Sequence, residues 1–123
     1  MRSVWALAIM LCLLAVNAHA VEQIVPFPYS SVNKASGTIT TGGTSQQALA
    51  ANPNRKGFCI YNPSSNTESL FYDLGVAATI TDPKSIEVTA GNGQCIGGLG
   101  VWTGTVTLNA TTTGHGFIVY EFR

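Results

Sequence analysis

Three side chains beyond the first twenty residues could do covalent or metal chemistry: Cys59 in "GFCIYN", Cys95 in "GQCIGG" and His115 in "TTTGHGF". A nucleophilic cysteine needs a general base and a group that orients it. His115 is the one histidine in that part of the chain, and no orienting partner for it is visible. A zinc site built on it would need both cysteines and a carboxylate to converge without any of the usual ligand spacings. A disulfide needs only the two thiols and an oxidising compartment. A Cys59–Cys95 bridge is therefore expected, and on chain-entropy grounds it would be worth roughly 4 kcal/mol. The other reading is two separate buried thiols that behave as small hydrophobes.

Other catalytic patterns are missing. No G-x-S-x-G elbow occurs, and "GGLG" at residues 97–100 lacks the Lys-Ser/Thr of a phosphate-binding loop. Asp73 in "FYDLG" is the acid with apolar neighbours on both sides, the setting a glycosidase carboxylate requires. The simpler role for it is to close a strand and accept turn hydrogen bonds. No catalytic residue, metal ligand or cofactor is assigned. Aromatic rings are the remaining currency, because they stack on sugars or anchor protein interfaces. Trp102, Tyr61, Tyr72, Phe27 and Tyr29 are the candidates for ligand or partner contact. Trp102 has a plainer alternative, a lid folded back on the core. Asn109-Ala110-Thr111 forms a glycosylation sequon.

The first twenty residues, "MRSVWALAIMLCLLAVNAHA", combine Arg2, an apolar run over residues 4–16 and the small-x-small triplet Ala18-His19-Ala20. That is the layout of a secretory signal peptide, with cleavage expected near Ala20. The run reaches roughly 20 Å as a helix, short of a ~30 Å hydrocarbon core, so no stable membrane insertion is expected. After cleavage five basic residues face six acidic ones. With no basic stripe, nucleic acid is not an expected partner. The polar residues are mostly Thr, Ser, Asn and Gly, which suits exported β-structure.

Residues 21–35 interleave Pro26 and Pro28 with Phe27 and Tyr29, so an extended arm is expected there, over its own domain or reaching a neighbour. Residues 36–123 read as one domain. "TSQQALAAN" fits two turns of helix or an edge strand with a bend. Strands are expected over 57–62, 69–74, 85–89, 94–97, 105–111 and 116–122. Asn92-Gly93 predicts a tight hairpin that returns residues 94–97 antiparallel to 85–89. "GFIVYEF" is apolar on both faces, as a strand between two packed layers would be. About seven short strands with Gly/Asn/Pro turns make a small antiparallel β-sandwich, jelly-roll or Ig-like. In "GFCIYN", Cys59 and Tyr61 share the face opposite Phe58 and Ile60, so a core-facing Phe58 places Cys59 outward.

Gly43-Thr44-Ser45, residues 48–52, Asn54-Arg55-Lys56, Asn62-Pro63-Ser64, residues 75–78, Ser85-Ile86-Glu87 and residues 111–115 follow one another along the stretches 40–91 and 101–122. In these features the chain resembles small all-β structural proteins encoded in tailed-phage and prophage genomes. The resemblance implies a non-enzymatic virion or virion-associated module and carries no catalytic residues with it.

The leading expectation is an exported, non-catalytic sandwich acting by surface recognition or assembly on a protein or glycan surface, with homo-oligomers in prospect. A secreted carbohydrate-binding module using Trp102 with Tyr61 or Tyr72 is the alternative. A small secreted hydrolase, dependent on Asp73 or His115, is the third.

Overall fold

The computed structural model describes residues 30–81 and 85–123. The expected signal peptide, Phe27, Tyr29 and the arm up to residue 29 lie outside the described residues. Among the described residues eight strands follow one another: β1 Val32–Thr38, β2 Gln46–Leu49, β3 Gly57–Tyr61, β4 Leu70–Leu74, β5 Ile86–Val88, β6 Gly93–Gly97, β7 Val106–Asn109 and β8 Gly116–Phe122. They form two four-stranded antiparallel sheets, sheet A in the order β1-β8-β3-β6 and sheet B in the order β2-β7-β4-β5.

The pairs β1·β8, β2·β7, β3·β6 and β4·β5 are all present and antiparallel. A ribbon of four such pairs, rolled until β3 meets β8 and β4 meets β7, is a jelly roll. The alternation of the sequence explains the roll. Phe58 and Ile60, Leu70 and Tyr72, Val106 and Leu108, and Phe117 and Val119 turn inward and are almost wholly buried. Each such side chain contributes about 1.5–3 kcal/mol relative to an exposed one.

"TSQQALAAN" supplies an edge strand, β2, with a register shift between Gln47 and Leu49, and no helix. Val32 to Ala35, counted with the arm from sequence, belong to β1 and pair with β8.

The hairpin expected at Asn92-Gly93 does not form. β5 lies in sheet B, whereas β6 crosses to sheet A and pairs with β3. The turn is made one step earlier: the Asn92 amide donates to the Thr89 carbonyl at 3.1 Å, and Gly91 takes φ 79°. A type II turn requires that left-handed residue at its third position, and Gly91 supplies it where Asn92-Gly93 does not. "GFIVYEF" is likewise not sandwiched between layers. β8 is central because β1 and β3 flank it, and its inner face carries the buried Glu121 alongside Phe117 and Val119.

Candidate functional site

Cys59 and Cys95 face each other directly across the β3–β6 ladder, with Cα atoms 4.0 Å apart, and form a disulfide. Because Phe58 and Ile60 point to the core, the bridge stands on the outer face of sheet A. Cys59 is half-buried there and Cys95 is exposed.

Register fixes the rest of that face. One row across the strands is Val32, Phe122, Gly57 and Gly97. The next is Lys34, Tyr120 and the two cysteines, with the Lys34 ammonium 5.9 Å from the Tyr120 ring centre. Ser36, Ile118, Tyr61 and Gly93 form the third. Val32 is 54% exposed. A depression of about 340 Å³, lined by Lys56, Gly57, Cys59, Cys95, Gly97 and Phe122, opens over the disulfide. The two facing glycines leave it unfilled.

The opposite face of the sandwich differs in kind. Gln47, Thr107 and Asp73 share one outer row of sheet B, and Asn109, Phe71 and Glu87 another. Loop residues bind across it: Thr107 Oγ1 donates to the Val76 carbonyl, and Asn109 Nδ2 to the Ala78 carbonyl at 2.9 Å. One face is polar and spanned, the other apolar and stapled.

The four sheet edges also differ. An unprotected edge is a template for another strand, and charge, bulges or shortness are the usual guards. β2 carries its register shift, β5 is three residues long with Glu87 at its centre, and β1 carries Lys34. β6, "GQCIG", has five residues in unbroken register, with no charge and no proline. The disulfide pins it to β3.

The aromatic candidates scatter. Tyr61 stands on the outer face of sheet A. Tyr72 is a core residue, 2% exposed, and its hydroxyl donates to Gln94 Oε1 at 2.9 Å, so it cannot stack on a ligand. Burial, and then the neighbouring Asp73 carboxylate, push that hydroxyl's pKa up. Trp102 is 38% exposed in the loop between β6 and β7. Its ring lies over two glycines: a Cβ on Gly75 or Gly104 would stand 2.7 or 2.5 Å from the indole. The indole N–H donates to the Thr105 carbonyl at 2.8 Å. Trp102 is thus a lid with one open flank. Asp73 accepts from the Leu74 amide and the Ser85 hydroxyl, as a strand-closing aspartate does.

Asn109 of the sequon is 2% exposed. An oligosaccharide cannot be attached there in the folded protein. Expression in a glycosylating eukaryotic host should therefore yield folded chain of unmodified mass, read by intact mass spectrometry; a glycan on Asn109 of folded material would contradict the placement.

His115 is buried against an amide–carboxylate cluster. Its Nδ1 lies 3.3 Å from Glu68 Oε1, and its Nε2 is 3.0 Å from both Asn62 Oδ1 and Asn66 Nδ2. Asn62 Nδ2 donates to the Glu68 and Val88 carbonyls. These groups knit the loop after β3 to the start of β8, and no serine, threonine or cysteine side chain is bonded to the ring. Among the described residues no group of three His, Cys, Asp or Glu could hold a metal ion.

The sequence reading missed a second buried network. Arg55, 2% exposed, donates through Nε to Glu121 Oε1 at 2.9 Å. Its Nη1 donates to the Trp102 and Gly104 carbonyls and its Nη2 to the Ala50 carbonyl. The guanidinium carbon lies 5.6 Å from the Phe58 ring centre. Arg123 holds the other Glu121 oxygen at 2.7 Å. Parity in "GFIVYEF" was the available signal, since Glu121 shares the inward set with Phe117 and Val119. A buried carboxylate demands a cation.

Two carboxyls sit below the ordinary glutamate value of 4.5. The Thr112 hydroxyl lowers Glu68 most; burial opposes this and His115 adds to it. At Glu121 burial pushes the pKa up, and hydrogen bonds from Arg123, Asn52 and Arg55 outweigh it. Both groups bind protons less readily folded than unfolded. Their contribution to stability is complete above the unfolded value and is lost as pH falls through the folded values. Urea midpoints should hold from pH 7 to about pH 5 and drop below about 4.5, whereas a midpoint unchanged at about pH 3.5 would contradict this.

No family model and no curated protein matches the chain. Among solved structures, a chain described by the words "Bacillus endospore appendages form a novel family of disulfide-linked pili" is similar at TM-score 0.44 and 16% identity. The match covers 75% of this chain and 86% of that one. A likeness this distant says nothing about function.

Proposed function

We propose that this chain is an exported, non-catalytic structural module that assembles with copies of itself by strand addition along β6. The unguarded β6 edge carries the reading: five uncharged residues in register, held flat against β3 by the disulfide. Main-chain hydrogen bonds along such an edge supply affinity without a pocket. Export is supported by the signal-like start of the sequence and by the disulfide, which persists in oxidising compartments. The resemblance to phage and prophage structural proteins supports a virion-related origin; capsid and tail genes beside its own would strengthen that part, and unrelated neighbours would oppose it.

The catalytic alternative loses its candidates, because Asp73 and His115 are both engaged within the scaffold. The carbohydrate alternative loses Tyr72 to the core, and Trp102 lies in the β6–β7 loop whereas Tyr61 stands on the outer face of sheet A. Light scattering of the exported chain should give a mass above the monomer that rises with concentration, with no glycan-array signal. A strict monomer that binds glycans, and loses them in Trp102→Ala, would overturn the reading in favour of carbohydrate binding.

A further inference from the structure

The spacing of the two cysteines shows which way the β6 backbone faces. In an antiparallel pair, opposite residues that exchange no backbone bonds sit about 4.5 Å apart at Cα, and those that do sit about 5.5 Å apart. Cys59 and Cys95, at 4.0 Å, are of the first kind. The bonds flanking them agree. The Asn62 amide donates to the Asn92 carbonyl at 2.9 Å, and the Gly98 amide to the Lys56 carbonyl at 3.3 Å. In that alternation Gln94 and Ile96 hold the ladder to β3. Gly93, Cys95 and Gly97 therefore turn their N–H and C=O groups to the open edge.

These free groups recur at every second residue and are symmetric about Cys95. A strand that meets them needs the same spacing, the opposite direction and small residues at the crossing points. β6 itself has all three. Turned about a two-fold axis at Cys95, a second β6 sets Cys95 against Cys95 and Gly93 against Gly97, and each pair exchanges both backbone bonds. β1, the other edge of sheet A, fits worse. It carries Lys34, and its Thr38 carbonyl already accepts from Gln46 Nε2 at 3.0 Å. Leu99 is a separate sign of a partner here. It is wholly exposed on the turn after β6, between Gly98 and Gly100 at φ 94° and 80°. The same register carries it past the strand end to Gly91 of the second copy, where no side chain stands in its way.

Resting on strand addition along β6, we infer that the added strand is β6 of one other copy, antiparallel and centred on Cys95. Assembly along this edge then closes as a two-fold dimer, with the two copies of sheet A joined into one.

An equal mixture of isotope-labelled and unlabelled exported chain, filtered by NMR for contacts between molecules, reads the register. Gln94 and Ile96 of opposite copies exchange no backbone bonds in this pairing, so their Hα protons should be in contact at a Cα separation of about 4.5 Å. Light scattering should level off at twice the monomer mass. Gly97→Pro removes an edge-facing N–H and leaves the β3 ladder whole, so it should weaken the dimer at least about tenfold. Gly97→Ala keeps that N–H, and its Cβ would stand an ordinary 3.4 Å from the Lys56 carbonyl oxygen, so it should leave the dimer intact. Contacts from β6 to β1 of another chain, with a mass that keeps growing, would leave strand addition standing and overturn the two-fold pairing. An unchanged dimer in Gly97→Pro would overturn the pairing too. A mass above the monomer with no contact between chains at β6 would overturn both.

Discussion

Replacing Arg55 with methionine is expected to lower the unfolding free energy by about 3–5 kcal/mol, the usual result of removing one partner from a buried ion pair. The effect is large because four groups lose their donor together. Glu121 keeps Arg123 and Asn52 but loses the buried guanidinium, and the carbonyls of Ala50, Trp102 and Gly104 are left without it. Those three carbonyls are part-buried and can regain water, so the stranded Glu121 charge carries most of the loss. Methionine fills much of the same volume, so a cavity is not the cause. Adding Glu121→Leu should restore part of the loss, since it removes the stranded charge, whereas Glu121→Leu alone should destabilise by leaving Arg55 unpaired. Urea titration reads all three variants, with the transition slope unchanged. A loss below about 1 kcal/mol in Arg55→Met would place the network among surface ion pairs and contradict its burial.

Reduction of Cys59–Cys95 is expected to cost roughly 4 kcal/mol, from a crosslink between residues 36 apart in sequence. Against the 5–15 kcal/mol typical of a whole domain, that is a large share. The cost should also fall unevenly. β6 has one neighbouring strand among the described residues, so without the bridge only the β3 ladder and the Ile96 and Gln94 contacts hold it. β6 amides should therefore gain exchange first, while those of β8, flanked on both sides, hold longer. Urea melts with and without reductant measure the total, and amide exchange measures its location. An identical midpoint in both states would show that the bridge is not what keeps β6 in place.

Much of this fold was legible because it depends on local alternation. The parity of "GFCIYN" put Cys59 outside as soon as Phe58 was inside, and turn residues marked the breaks between strands. What was not legible depends on which sheet a strand joins. Asn92-Gly93 carries a strong hairpin signal, yet the crossing from sheet B to sheet A is set by long-range pairing with β3, and Gly91 makes the bend. Tyr72 was open to misreading because "SLFYDL" is apolar on both faces. The shared parity of Leu70, Tyr72 and Leu74 pointed inward, and the core took that side. Arg55 was invisible as a hub because its partners are Glu121 on β8, two carbonyls of the distant β6–β7 loop and the Ala50 carbonyl of its own loop, which no spacing rule brings together. Glu121 was the better clue, an acid on the buried face of an otherwise apolar strand.

Amide hydrogen exchange along β6 is the most direct measurement of the assembly proposed for this chain. In concentrated exported protein, the edge-facing amides of Gly93–Gly97 should be as slow as those of β3, and dilution to monomer should release them. Edge amides that exchange freely at every concentration, in protein whose β3 and β8 amides stay protected, would mean that no strand is added there.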